Sequence, residues 1–449
     1  MDIVAPPPPR PPRLVALHAL AAGVDFDSYF RWRRSREGDP FYVRFPGLGA
    51  ALFTGTPAGA AEVFRAPVEL LEPPRPNPIE PLVGSASLIL SSGERHRADR
   101  ALLTPAFHRA RVRELGRVIR DSALDEIGRA ESWRPGARVD SRAAARAITL
   151  RVILGAVFGG DDIARRDDYA AAVTDFLDAF SAPLMLVPAL RMGAFGQTPW
   201  DRFRAARERL DRLIRADIAY RRETARPGDT DILATLLAAR RADGAAISDD
   251  ELCDQVRTLI VAGHETTATS LVWALLHLHR NPSALARLRA EIRELGTGAD
   301  PTEMAALPYL DAVCQETLRL HPPVPIVLRQ LTGPLAIRGV ALSAGDIVGV
   351  TVPLLHSDRD VWSDPRRFRP ERFLERRYGP FEYAPFGGGH RRCVGATLAD
   401  YELRIVLATI LGRVRLALTP RDARGRLPLT VPHNIATGPH RGIPFDVVA

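Results

Sequence analysis

The stretch Phe386-Gly387-Gly388-Gly389-His390-Arg391-Arg392-Cys393-Val394-Gly395 concentrates groups that could do chemistry. A glycine-rich loop could cradle phosphate, but no Lys-Ser/Thr pair follows and no strand–loop–helix unit surrounds it. A zinc site built on His390 and Cys393 lacks two further ligands at suitable spacing. What remains is a thiolate at a helix N-terminus beside Arg391 and Arg392. Positive charge and the helix dipole both lower a thiol pKa, which readies the sulfur to ligate iron. The glycines let backbone approach a flat cofactor and aim N–H groups at the sulfur. Cys253 and Cys314 have no such context and read as small buried hydrophobes.

Three other groupings carry candidate side chains. In Ala262-Gly263-His264-Glu265-Thr266-Thr267 a zinc-type HExxH reading fails, because the second histidine position is Ala268. A glycine, a carboxylate and two threonines weaken the middle of an otherwise apolar helix, and local rules broken in a buried element point to a functional site. The plainer alternative is that Glu265 faces water. Glu316 and Arg319 are three apart and can pair on one helix face, as a surface ion pair worth under about 1 kcal/mol if exposed. His96 and Arg100, four apart, also share a helix face, with a solvated His96 as the alternative. His356 reads as structural.

These residues need elements to hold them. Ser248-Asp249-Asp250-Glu251 is a capping box, with Ile247 and Leu252 as a hydrophobic staple. It opens a helix that runs without proline to Asn281-Pro282, long enough at about 1.5 Å per residue to cross a whole domain. Its second half, Thr266 to His279, has no charge, so it belongs in a core and is too short to span a bilayer. A helix is expected from Pro308 to just before His321-Pro322-Pro323, and another from about Ala396 to Leu411. Phe41 to Phe53 reads as a hairpin, and Val324 to Val352 alternates like strands. Residues 95–239 look mostly helical, broken near Pro135, Gly159, Pro183 to Pro199, and Pro227.

The 449 residues carry 61 basic and 53 acidic side chains, a formal charge of +8, with 46% apolar residues. That mix excludes disorder as the main state. Every basic side chain is arginine and none is lysine. The arginines are scattered among Asp and Glu, as in Arg202 to Arg215, which speaks against nucleic-acid binding. Three unpaired cysteines make no disulfide framework, so a cytoplasmic setting is expected. Residues 1–13 form a proline-rich arm with neither a signal peptide nor a transmembrane anchor.

The motifs together resemble the cytochrome P450 superfamily, soluble bacterial type. Phe386, Gly389, Arg391, Cys393 and Gly395 stand in register with its haem signature FxxGxRxCxG; Glu316 and Arg319 match its ExxR, and Arg372 its PxRF. The alcohol-bearing groove motif matches at 262–267, and His96 and Arg100 match a weaker histidine–arginine pattern. The resemblance implies a mainly α fold with small β-sheets in one domain over 14–449. It implies haem b ligated by Cys393, with Arg391 on a propionate and Phe386 packed beside the thiolate. Gly395 belongs to the same cofactor loop, and His96, Arg100 and Arg329 would also bond propionates. Glu316, Arg319 and Arg372 would form a buried network, and Glu265 and Thr266 would relay protons to dioxygen.

The implied activity is monooxygenation, the hydroxylation or epoxidation of a lipophilic small molecule such as a fatty acid, terpenoid, steroid or polyketide, in secondary metabolism. Electrons would come from a ferredoxin or flavodoxin with an NAD(P)H-dependent reductase, with Arg391, Arg392 and Arg97 as docking charges. A peroxide-driven peroxygenase or isomerase is the alternative, and a haem sensor a further one. The substrate pocket is expected from residues 70–92, 176–200, the turns before Gly263, Val324 to Leu328, and a turn near Ile435. Leu88, Ile89, Leu90, Phe176, Phe180, Leu184, Met185, Leu186 and Val187 are its apolar candidates.

Overall fold

The expected capping box starts the central helix. In the computed structural model Ser248 accepts from the Glu251 N–H, Glu251 reaches back to the Ser248 N–H, and Asp249–Arg280 runs 32 residues. The structure describes residues 15–448 except 130, 160–162, 195, 225–230, 242–243 and 297, so the proline-rich arm lies outside the described residues. Among those described, the central helix is the one long and apolar enough to cross a membrane, and 83% of that apolar window is buried. It is a core helix. Its closest neighbour is the helix Ser141–Phe158. Gly263 makes that closeness possible, since a Cβ there would stand 2.7 Å from Ile153 Cδ1. His264 is fully enclosed and bonds Thr149 Oγ1 across the same seam at 2.9 Å.

The strands form small sheets at the rim. A five-stranded sheet runs Phe41–Phe45, Gly49–Thr54, Ile347–Thr351, Ile326–Leu331, Leu71–Glu72 in spatial order. Phe41 pairs with Phe53 in the expected hairpin, and Arg329 lies opposite Val348. The segment 183–199 breaks the helical half as expected, into short pieces Ala182–Leu186 and Pro188–Leu190 before the helix Pro199–Thr224. Helices Pro308–Leu320 and Ala396–Arg413 match their expected positions. The whole is mainly helical, in one domain.

Glu316, Arg319 and Arg372 do not sit at the surface: their exposures are 0%, 1% and 1%. Arg319 grips Glu316 with two bonds of 2.6 and 2.8 Å, and Arg372 Nε adds a third at 3.1 Å. The remaining guanidinium N–H groups go to carbonyls of His356, Pro365, Arg367 and Ser363. Trp362 lies under both cations. Removing one partner of such a set leaves a bare buried charge, at a cost of about 3–5 kcal/mol. His356 is structural as expected, since its Nδ1–H donates to the Arg319 carbonyl and its Nε2 accepts from the Ala384 N–H. Burial holds its pKa down to about 3, so it stays neutral.

Candidate functional site

A cavity of about 680 Å³ opens between the central helix and the cysteine loop. Cys393, Phe386, Arg391, Gly395, His96, Arg100, Arg329 and Thr266 all line it, whereas Glu265 does not. Cys393 has accessible surface, and that surface is cavity wall, because protein surrounds the thiol on its other sides.

The loop is locked by backbone. The Cys393 N–H donates to Phe386 O at 3.0 Å, and the helix Ala396–Arg413 starts directly after Gly395. Gly389 has φ +66°, and a Cβ on it would overlap the Phe64 carbonyl, so glycine is required where the loop crosses the helix Pro57–Arg65. The glycines therefore serve close packing against Phe64 as much as approach to a cofactor. The expected fall in thiol pKa is corrected: burial pushes Cys393 up, and the Gly395 N–H, Arg392 and Arg100 only partly offset it. A stronger cation is needed to keep that sulfur anionic, and a coordinated metal supplies it.

Four basic side chains, three of them guanidinium cations, converge beside the thiol. His96 is 4% exposed, which excludes a solvated role, and burial followed by Arg391, His390, Arg100 and Arg329 drives its pKa down to about 3. Burial and Arg391 lower Arg329 to about 9, and burial and Arg100 lower Arg391 to about 10. Arg329 Nη1 donates only to the carbonyl of its neighbour Leu328, at 2.7 Å. Arg391 bonds the Ile89 and Ser91 carbonyls, and its buried Nε has no partner among the described residues. Glu72 offsets the repulsion at Arg391 alone. Such a cluster lacks about two carboxylates. The residues fit haem b, whose iron accepts a thiolate and whose propionates bring that charge.

The central helix splits the acid and the alcohol. Thr266 Oγ1 donates to the Ala262 carbonyl at 2.7 Å and faces the cavity. Glu265 is 5% exposed, so it does not face water, and its Oε2 lies 3.2 Å from Arg146 Nε on the neighbouring helix. Burial raises its pKa, against Arg146 and Arg142. Arg146 also pairs with Asp178 at 3.1 Å, and that carboxylate is largely exposed.

Several expectations need correction. Arg391 is turned inward, and Arg97 is paired with Glu94 and Glu69, so of the three docking charges Arg392 alone is exposed and free of an ion pair among the described residues. Phe176 and Phe180 stack on Phe203 in the core and line no cavity. Leu90 and Leu184 are likewise core, Val187 is exposed, and the Leu186 side chain lies outside the described residues. Leu88, Ile89, Met185, Val324 to Leu328, and Ile435 do line the cavity.

Two charged lining residues were not singled out in the sequence. Glu402 is 3% exposed, its Oε1 has no partner among the described residues, and burial raises its pKa well above the carboxylate range. Its signal was an isolated acid nine residues after Cys393 on an apolar helix face. Arg191 is the other.

Known proteins agree with this geometry over the whole chain. The family model for cytochrome P450 matches residues 6–439. A putative cytochrome P450 135B1 of Mycobacterium tuberculosis is 36% identical over 92% of this chain and 85% of its own length. A putative cytochrome P450 135A1 of the same species is 32% identical over 97% of this chain and 94% of its own. Among solved structures, a retinoic acid bound cyanobacterial CYP120A1 superposes with TM-score 0.81 at 26% identity, covering 96% of both chains. The haem domain of cytochrome P450DA shares the fold, with TM-score 0.84 at 22% identity over 98% of this chain and 96% of that one. With the family model matched over 6–439 and relatives above 30% identity along nearly the whole length, the chain belongs to the cytochrome P450 family of haem-thiolate monooxygenases.

Proposed function

We propose that the Cys393 thiolate would hold the iron of haem b and that this chain oxygenates a lipophilic small molecule with electrons from a separate ferredoxin or flavodoxin and its NAD(P)H-dependent reductase. The observation that supports the reading is the juxtaposition of the Cys393 thiol with three guanidinium cations short of carboxylate partners, beside a neutral His96. Bound haem b supplies the activation of dioxygen and the insertion of oxygen into substrate.

The chain's own residues do the rest. Arg100, Arg329 and Arg391 hold the propionates, with neutral His96 as a further donor or acceptor. Phe386 and Gly395 form the loop wall around the thiolate, where N–H groups tune an electron-rich ligand. Glu316, Arg319 and Arg372 keep the haem-side core rigid and touch no reactant. Thr266, its own hydrogen already donated to Ala262, presents lone pairs to the cavity and can hold a water there. Glu265 reaches that water only by leaving Arg146, so Arg146 and exposed Asp178 lie on its route to solvent protons. Exposed Arg392, on the cysteine loop, is the docking charge that fits an acidic electron donor. The apolar lining supports a lipophilic substrate, as does the neighbour with bound retinoic acid.

The test is the absorbance of the reduced, carbon-monoxide-bound protein. A strongly red-shifted Soret band, lost in Cys393→Ser, is expected. An imidazole-like band, or one unchanged by that substitution, would contradict the assignment. Product formed with reduced ferredoxin faster than with hydrogen peroxide separates monooxygenase from peroxygenase.

A further inference from the structure

Charged side chains around the cavity fall into two groups. Six of them, His96, Arg100, Arg329, Arg391, Arg392 and Glu402, belong to the cation cluster or to the loop and helix of Cys393. The seventh, Arg191, stands apart. It caps the short helix Pro188–Leu190, and Pro188 packs on the turn of the first hairpin, where a Cβ on Gly47 would come within 2.9 Å of Pro188 Cγ. The cavity wall around it is Pro78, Ile79, Met185, Pro188 and Pro46.

Arg191 is half-buried and short of negative charge. Its Nε donates to Leu184 O at 2.8 Å, and its Nη2 donates to Pro78 O at 2.9 Å and Met185 O at 3.0 Å. Those acceptors are neutral. Its Nη1 has no acceptor among the described residues, and no carboxylate there comes within ion-pair distance; Glu80 acts only through space. Three of five N–H groups fix the guanidinium plane, so the free edge is held in place. Burial lowers its pKa without bringing it near neutrality.

We propose that Arg191 is the polar anchor of the substrate chamber and that the preferred substrates are amphipathic carboxylic acids, carboxylate at Arg191 and apolar body extending toward Cys393. This rests on the monooxygenase reading of the same cavity. The two N–H groups left on Nη1 can meet one carboxylate in charge-assisted bonds. A phosphate dianion would bring a second charge into a wall of proline and isoleucine with no partner. The same three carbonyl bonds tie residues 184–185 to Pro78, so a purely bracing role makes a different forecast.

Dodecanoic acid and dodecan-1-ol are the probes, titrated into the haem-loaded protein by the shift to high spin and, independently of haem, by equilibrium dialysis. Wild type is expected to hold the acid at least about tenfold tighter than the alcohol, the range of one charge-assisted bond. Arg191→Met removes that preference while alcohol binding stays within about threefold, and Arg191→Lys keeps part of it. Equal affinities in wild type, parallel loss of both ligands in Arg191→Met, or binding of neither probe would overturn the proposal. A protein that discriminates acid from alcohol in dialysis but lacks thiolate spectra keeps the anchor and sinks the haem reading instead.

Discussion

Two arginine clusters, one buried in the core and one lining the cavity, are built on opposite terms. In the first, Arg319 and Arg372 share Glu316, and every remaining bond goes to backbone carbonyls. In the second, burial first and neighbouring cations next lower the pKa of Arg100, Arg329, Arg391 and His96, and none of them has a carboxylate in direct contact among the described residues. The first cluster completes itself within the chain and stabilises the fold. On the proposed reading a dianionic guest completes the second, which costs stability until that guest arrives. A carboxylate shared within the chain marks structure; cations with no carboxylate in contact mark a binding site.

The sharpest way to break the comparison is to unbalance the first cluster. Arg319→Met strips Glu316 of its two shortest bonds and leaves Arg372 as its remaining counter-charge in a fully buried setting, which should cost about 3–5 kcal/mol, read as a large loss of soluble protein or of Tm in the haem-loaded form. An unchanged Tm would put the network at no more than surface worth. The second cluster should answer differently. Arg329→Met is expected to weaken haem retention about tenfold or more, measured by transfer of haem to apomyoglobin.

Glu402 sharpens the comparison from a third side, as a buried acid with no counter-charge at all. Its folded-state pKa lies above the unfolded value, so the fold prefers it protonated. Stability is therefore full below the ordinary carboxylate range and falls as pH rises, by about 1.4 kcal/mol per unit until the folded pKa is reached. Glu402→Gln should match wild type near pH 4.5 and exceed it increasingly toward neutrality in denaturant titrations. A gap independent of pH would show that the carboxyl is neutralised by something else. The smallest effect on stability is expected from Thr266→Ala, within about 1 kcal/mol, while peroxide leakage rises relative to product. Unchanged coupling would remove Thr266 from proton handling.

Motifs dense in glycine, cysteine and fixed spacings were legible in the sequence, and so were long helices with caps. Ser248 and Glu251 announced the central helix, and Gly389 to Gly395 announced the pocket floor. Side-chain direction was not legible. Glu265 and Thr266 are adjacent, so on a helix they diverge by about 100°, and only the neighbouring Arg146 decides which one turns away from the cavity. Arg391 and Arg392 posed the same problem: both border the cavity, but Arg392 alone is exposed. Phe176 and Phe180 looked like pocket lining because an apolar side chain carries no mark of which apolar space it fills. Arg191 was one arginine among many, distinguished only by acceptors contributed from residues far apart in the chain.

Thermal unfolding of the protein with and without haem, in wild type and Arg329→Met, addresses the contrast between the clusters most directly. The two-cluster account predicts that Arg329→Met leaves the haem-free protein as stable as wild type or more so, and removes much of the stabilisation that haem confers. If the substitution destabilised the haem-free protein as Arg319→Met does, Arg329 would be a structural cation like Arg319, and the pocket would not be held ready for a dianionic cofactor.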